Sequence, residues 1–135
     1  MIRILIVDDS RMQSKIYETY LRDRFHCDVA PDGIDAVMMF KNAMQEKNYY
    51  LFAIMDIGMQ VMSGTEAIEK FRKLEKIHPE APKSYIIVAT SMTDHELANE
   101  PNLNNDSVDI ILRKPVTREQ ILETIQNAIR SRAGG

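Results

Sequence analysis

The sequence predicts a doubly wound α/β domain: a parallel five-stranded sheet with helices on both faces. Two observations carry this. Five short, almost wholly apolar runs alternate with five stretches able to form helices, the pattern of strands buried on both sides and joined by crossover helices. At 135 residues the chain has room for one core but not for a core and a second module. We therefore expect a single domain over 1–135, with its core in 2–132 and a short frayed tail after it.

The strand candidates, in order, are Ile2 to Val7, Cys27 to Ala30, Leu51 to Met55, Tyr85 to Ala89 and Asp109 to Leu112. After the first, Met12, Ile16 and Tyr20 recur at four-residue spacing as a helical stripe; after the second, Ala36, Val37, Phe40, Ala43 and Met44 form another. Ala67, Ile68, Phe71 and Leu74 mark a third. The fourth segment, Thr93 to Asp106, contains Pro101 and four Asn, so a short or irregular helix is expected there. The last helix starts near Thr117, an N-cap with Gln120 three residues on, and turns Ile121, Leu122, Ile125, Ala128 and Ile129 inward.

Composition excludes several classes. Charged residues are 27% and hydrophobic residues 44% of the chain, and the longest apolar runs, Ile4 to Val7 and Tyr85 to Ala89, are far too short to span a membrane. Nothing ahead of Ile2 resembles a secretory leader, so a cytoplasmic location is expected. With a net charge of −3, no basic cluster longer than Arg130 to Arg132 and no Trp, direct nucleic-acid binding is not expected. The lone Cys27 reads as a small core residue. His26, His78 and His95 lack ligand-like spacing and read as surface residues. Met38, Met39, Met44 and Met55 read as core fillers, and the charges from Glu66 to Lys73 as a solvated helix face.

In such sheets, ligands collect beyond the carboxyl ends of the strands. The first strand runs into Asp8 and Asp9, the third into Asp56, the fourth into Thr90 and Ser91, and the fifth into Lys114 and Pro115. Taken singly, Asp8, Asp9 and Ser10 cap a helix and Asp56 ends a strand at a turn. Taken together, three carboxylates at one edge repel one another, which raises a pKa or recruits a hard cation such as Mg²⁺. A carboxylate is a serviceable nucleophile toward phosphorus, and phosphoryl transfer needs mainly positioning and charge neutralisation. Asp56, on the central strand, is the expected nucleophile; Asp8 and Asp9 are the expected metal ligands; Thr90 and Lys114 are the expected partners of the phosphoryl oxygens.

Four stretches carry a family resemblance. Ile4 to Ser10 resembles the opening of response-regulator receiver domains, Met55 to Gly64 their phosphoacceptor strand and loop, Val88 to Ser91 their switch-hydroxyl strand, and Lys114-Pro115 their final signature. Their order and approximate spacing match over Ile2 to Arg132. The resemblance implies a flavodoxin-like sheet in the order 2-1-3-4-5, and phosphorylation of Asp56 by a histidine kinase or phosphotransfer protein. It also implies Mg²⁺ bound by Asp9 directly, oriented by Asp8, and completed by Asp56 and the main-chain carbonyl of Gly58. Thr90 would follow the phosphoryl group inward, Lys114 would pair with it, and the Lys114-Pro115 bond would be cis. A downstream output protein or domain completes the expected partners, and a phosphorylation-dependent homodimer stays open.

The chain departs from the family at Gln60, where proline is usual, and at Ile111, where a rotating Tyr or Phe often reports phosphorylation. With Pro101, this puts the usual output face in question and shifts the expected signal to the loop bearing Thr90 and Ser91. Gly58 and Met92 occupy the positions that tune autodephosphorylation in the family, with Met92 expected to shield the acceptor. Three other classes compete. An aspartate-dependent phosphatase normally carries an acid where Gly58 stands. A flavodoxin would bring its flavin phosphate against Asp8 and Asp9. A phosphorylation-independent scaffold would not need all five site groups. A stand-alone regulator and a receiver belonging to a longer protein remain equally compatible.

Overall fold

Five parallel strands form one sheet in the order β2-β1-β3-β4-β5: β1 (Arg3–Val7), β2 (His26–Ala30), β3 (Tyr50–Met55), β4 (Tyr85–Thr90) and β5 (Ile110–Arg113). They alternate with α1 (Arg11–Leu21), α2 (Gly33–Gln45), α3 (Gly64–Ile77), α4 (Asp94–Ala98) and α5 (Arg118–Gly134). The computed structural model describes residues 1–59, 62–100, 103 and 106–134. Gln60 and Pro101, where the sequence departs from its expected pattern, lie outside the described residues. The expected fold class and strand order are therefore observed, with strand ends shifted by at most one residue.

The period-2 alternation of side chains splits the apolar strands between two cores. Leu5, Val7, Ala53, Met55, Ile86 and Val88 face one side, where Phe40 of α2 stacks on Phe71 of α3 with ring centroids 4.2 Å apart. Ile4, Ile6, Phe52, Ile54, Ile87 and Ala89 face the other, against Tyr17 and Leu21 of α1 and Ile121 and Ile125 of α5. Each such aliphatic or aromatic side chain taken from water contributes about 1.5–3 kcal/mol.

Helix starts are fixed by side-chain caps. Ser10, Asp32, Ser63 and Thr93 accept hydrogen bonds from the third residue beyond them, and Thr117 Oγ1 accepts from Gln120 N at 3.1 Å, as expected from the sequence. The fourth helix is short as expected: it spans 5 residues, none of them buried.

Several expectations about faces are corrected. Met12, Ile16 and Tyr20 are not the inward stripe of α1; that stripe is Ser14, Tyr17 and Leu21, leaving Met12 76% and Ile16 37% exposed. Met44 and Met55 are buried, but Met38 is 58% exposed because the inward side of α2 runs through Ala36, Phe40 and Ala43. Arg72 is no solvated charge. Its guanidinium donates to the carbonyls of Ser84 (2.9 Å) and Ser107 (3.0 Å) and pairs with Glu75 (2.8 Å) and Asp109 (3.2 Å), tying α3 to the amino-terminal ends of β4 and β5. The backbone of the expected frayed tail is helical through Gly134, and Arg132 donates to the Lys83 carbonyl at 2.7 Å.

Candidate functional site at the carboxyl edge of the sheet

Sheet hydrogen bonding runs one residue past the strands and carries the site with it. Asp8 N donates to Ala30 O (3.2 Å), Asp56 N to Val7 O (2.9 Å) and Lys114 N to Thr90 O (2.8 Å). The residues that follow the apolar runs are thus held by the backbone at one edge. Acid, hydroxyl and ammonium come from four different strand ends.

Asp8, Asp9 and Asp56 each offer a carboxylate oxygen, and the three oxygens lie within 4.8 Å of one another. Asp8 is buried, Asp56 half-buried and Asp9 exposed. Asp8 Oδ1 accepts from Ser10 N at 2.9 Å and Asp56 Oδ1 from Gly58 N at 3.1 Å. Lys114 Nζ stands 3.3 Å from Asp8 Oδ2 and 3.9 Å from Asp56 Oδ2. Burial pushes the Asp8 carboxyl above its ordinary range and the Asp56 charge adds to the rise, against the pull of the Ser10 N–H and the Lys114 ammonium. Three clustered hard oxygen donors, only partly neutralised by one lysine, suit a small divalent cation.

Thr90 is 2% exposed, and its hydroxyl oxygen accepts from Met92 N at 3.0 Å. Met92 is half-buried, with its side chain packed on the α2–α3 core cluster. The Lys114-Pro115 peptide is cis, as expected. Gly64, the first residue of α3, meets the acceptor strand closely: a Cβ there would lie 2.4 Å from the Asp56 carbonyl oxygen and 2.6 Å from Ile57 Cα. Glycine is required here by close approach. At Gly58 the nearest atom to a Cβ would be Asp56 Oδ1, at 3.7 Å, an ordinary contact.

The response regulator receiver domain model matches residues 4–126. The chain belongs to that family. This receiver domain is 36% identical over 78 residues to response regulator mcs4 of Schizosaccharomyces pombe, a match covering 57% of this chain and 14% of that regulator. Among solved structures, a CheY-like response regulator receiver domain protein of Methanospirillum hungatei JF-1 superposes with a TM-score of 0.79 at 24% identity, covering 99% of this chain and 98% of that one. Response regulator protein TrrA of Thermotoga maritima, solved in complex with Mg²⁺ and BeF, gives 0.73 at 25% identity over 94% and 98% of the two chains. The protein is therefore a receiver domain of two-component phosphorelay signalling. Among the described residues no helix is long and apolar enough to cross a membrane.

Two residues near the site escaped sequence reasoning. The Tyr17 hydroxyl is buried without a hydrogen-bond partner among the described residues, and burial together with the charges of Asp8 and Asp56 pushes its ionisation far up. The misassigned α1 stripe hid it. Arg113 reaches from β5 to the loop after β4, through a strand pairing that residue spacing does not reveal.

Proposed function

We propose that this receiver accepts a phosphoryl group on Asp56 from a histidine-phosphorylated donor and converts that event into altered partner binding. The supporting observation is the convergence of three carboxylates within 4.8 Å of one another, with the Lys114 ammonium 3.9 Å from Asp56. A carboxylate oxygen of Asp56 attacks phosphorus, forming a P–O bond as the P–N bond of the donor phosphohistidine breaks, and the electron pair leaves on the imidazole. Lys114 and the Thr90 hydroxyl then face the transferred oxygens.

Asp8, Asp9, Asp56 and the Gly58 carbonyl would hold Mg²⁺. When bound, the ion neutralises charge on the transferring group. The chain's own part is to hold the acceptor at the end of a rigid ladder and to supply a cation and a hydroxyl from neighbouring strands. We assign this chemistry to the whole of 1–135 acting as one domain, in the cytoplasm, with no turnover of outside substrates beyond loss of its own phosphoryl group.

For donor docking, the outward stripe of α1 offers an apolar surface. Met12, Ile16 and Tyr20 sit among Lys15 and Thr19 on a helix whose N-cap, Ser10, follows directly on Asp8 and Asp9. Output passes through the loop bearing Thr90 and Ser91, since Ile111 cannot act as an aromatic reporter and α4 buries none of its residues.

The test compares two phosphoryl donors. Ile16→Glu should slow transfer from a phosphohistidine protein at least tenfold while leaving labelling by acetyl phosphate unchanged. Equal slowing with both donors would move the docking surface elsewhere.

A further inference from the structure

The loop following Thr90 is clasped by a residue outside the acceptor chemistry. Arg113 is the register partner of Thr90 across β4 and β5. Its Nη1 donates to the Met92 carbonyl at 2.7 Å, and its Nη2 pairs with the Asp94 carboxylate at the start of α4. Met92 in turn gives its N–H to Thr90 Oγ1 at 3.0 Å. Met92 is therefore held at both ends, its carbonyl by Arg113 and its N–H by the hydroxyl that the acceptor reading assigns to the phosphoryl group. The clasp lies on the sheet face where α4 gives little cover, leaving neighbouring Ile111 39% exposed.

We infer that Arg113 is a positioning residue for Thr90: by fixing Met92, it holds the Thr90 hydroxyl in its resting hydrogen bond and so opposes engagement of a phosphoryl group on Asp56. This rests on the acceptor reading above. For Thr90 to turn its hydroxyl toward Asp56, the Met92 N–H must be released or carried along, and both movements strain the Arg113 bond. A charge-assisted hydrogen bond to a half-exposed guanidinium shifts such an equilibrium modestly, by roughly threefold to tenfold.

Charge alone predicts the opposite sign. Arg113 is a cation near an anion-binding edge, so removing it should weaken anion binding if it acted only through the field. The positioning role predicts that its removal strengthens binding.

The experiment measures affinity for beryllofluoride, a phosphoryl analogue, at fixed Mg²⁺, together with the Met92 amide resonance and its hydrogen exchange. It uses the full chain as wild type, R113A, R113K, T90A and the double variant R113A/T90A. We expect R113A to bind beryllofluoride about threefold to tenfold more tightly and to exchange its Met92 amide faster in the resting state. R113K keeps one donor but not the two-pronged clasp, and should fall between. In the T90A background the effect of R113A should vanish, because the hydroxyl through which it acts is gone.

An R113A effect of the same size with and without Thr90, or weaker binding by R113A, would overturn the inference. If the folded wild type bound no beryllofluoride with Mg²⁺ present, the acceptor reading would fail first and the role of Arg113 with it. Binding by the wild type with no change in R113A would sink the positioning role alone.

Discussion

The Lys114 ammonium donates to Asp8 Oδ2 across 3.3 Å, joining the end of the fifth strand to the end of the first. Asp8 is buried and its carboxyl is pushed up by that burial, so without a divalent cation the folded state holds a proton there more tightly than the unfolded chain does. Stability from this group is then fully present below the unfolded carboxylate value, near pH 4, and is lost as pH rises through the higher folded value. In EDTA, Asp8→Asn should flatten that slope and raise Tm at pH 7 by roughly 3–6 °C, equivalent to about 1 kcal/mol. Lys114→Met should do the reverse, costing about 1–3 kcal/mol by leaving a buried acid unpaired. Thermal melts across pH 4–8 decide it; an unchanged slope in Asp8→Asn would contradict the assignment.

Magnesium should stabilise the wild type by mass action, about 2.7 kcal/mol at a hundredfold excess over its dissociation constant. Asp8→Asn and Asp9→Asn should each lose most of that gain. Equal Mg²⁺-dependent shifts in all three proteins would place any ion elsewhere.

The two glycines flanking the acceptor should respond differently to alanine. At Gly64 the added methyl meets backbone at 2.4 and 2.6 Å, so G64A should cost about 2–3 kcal/mol and displace Asp56. At Gly58 the methyl finds ordinary contact at 3.7 Å, and G58A should leave urea unfolding within about 0.5 kcal/mol of wild type. Comparable losses in both would show that close packing on Asp56 is not what Gly64 provides.

At the far edge of the sheet, Asp28 Oδ2 accepts from Tyr50 Oη at 2.6 Å and from Arg3 Nη2 at 2.8 Å. Burial raises the Asp28 carboxyl, but the Tyr50 and Arg3 hydrogen bonds outweigh it and hold the group below its ordinary range. A depressed folded pKa gives stability that is present above the unfolded value, near 3.9, and lost as pH falls through the folded one. Tyr50→Phe should reduce this acid sensitivity and cost about 1 kcal/mol at pH 7. Urea midpoints between pH 3 and pH 6 that run parallel in the two proteins would count against the clasp.

Cys27 should be sluggish. Burial, with Glu18 and Asp28 nearby, pushes its thiol up to about 11, so alkylation by iodoacetamide at pH 7.5 should run roughly a hundredfold slower than for an ordinary thiol, and normally once urea unfolds the chain. Rapid labelling of the folded protein would show that Cys27 is not held as described.

Much of this was legible in the sequence because strands buried on both faces must be apolar throughout. Polar residues closing such runs, Asp8, Asp56 and Thr90 directly and Lys114 after Arg113, therefore mark the edge of the sheet where the site forms. The face of α1 was not legible. Met12, Ile16 and Tyr20 make the better apolar stripe, yet the chain buries Ser14, Tyr17 and Leu21, and spacing alone cannot tell a core stripe from an exposed one of the same period. Arg72 and Arg113 were missed for a related reason. Each acts on backbone carbonyls supplied by other elements, so only strand pairing and packing bring the partners together.

The central claim is that Asp56 is a Mg²⁺-dependent phosphoryl acceptor, and intact mass after exposure to acetyl phosphate tests it most directly. With Mg²⁺ the wild type should gain one phosphoryl mass, about 80 Da, and neither the EDTA-treated protein nor Asp56→Asn should do so. No gain in a folded, Mg²⁺-binding chain, or an equal gain in Asp56→Asn, would contradict it.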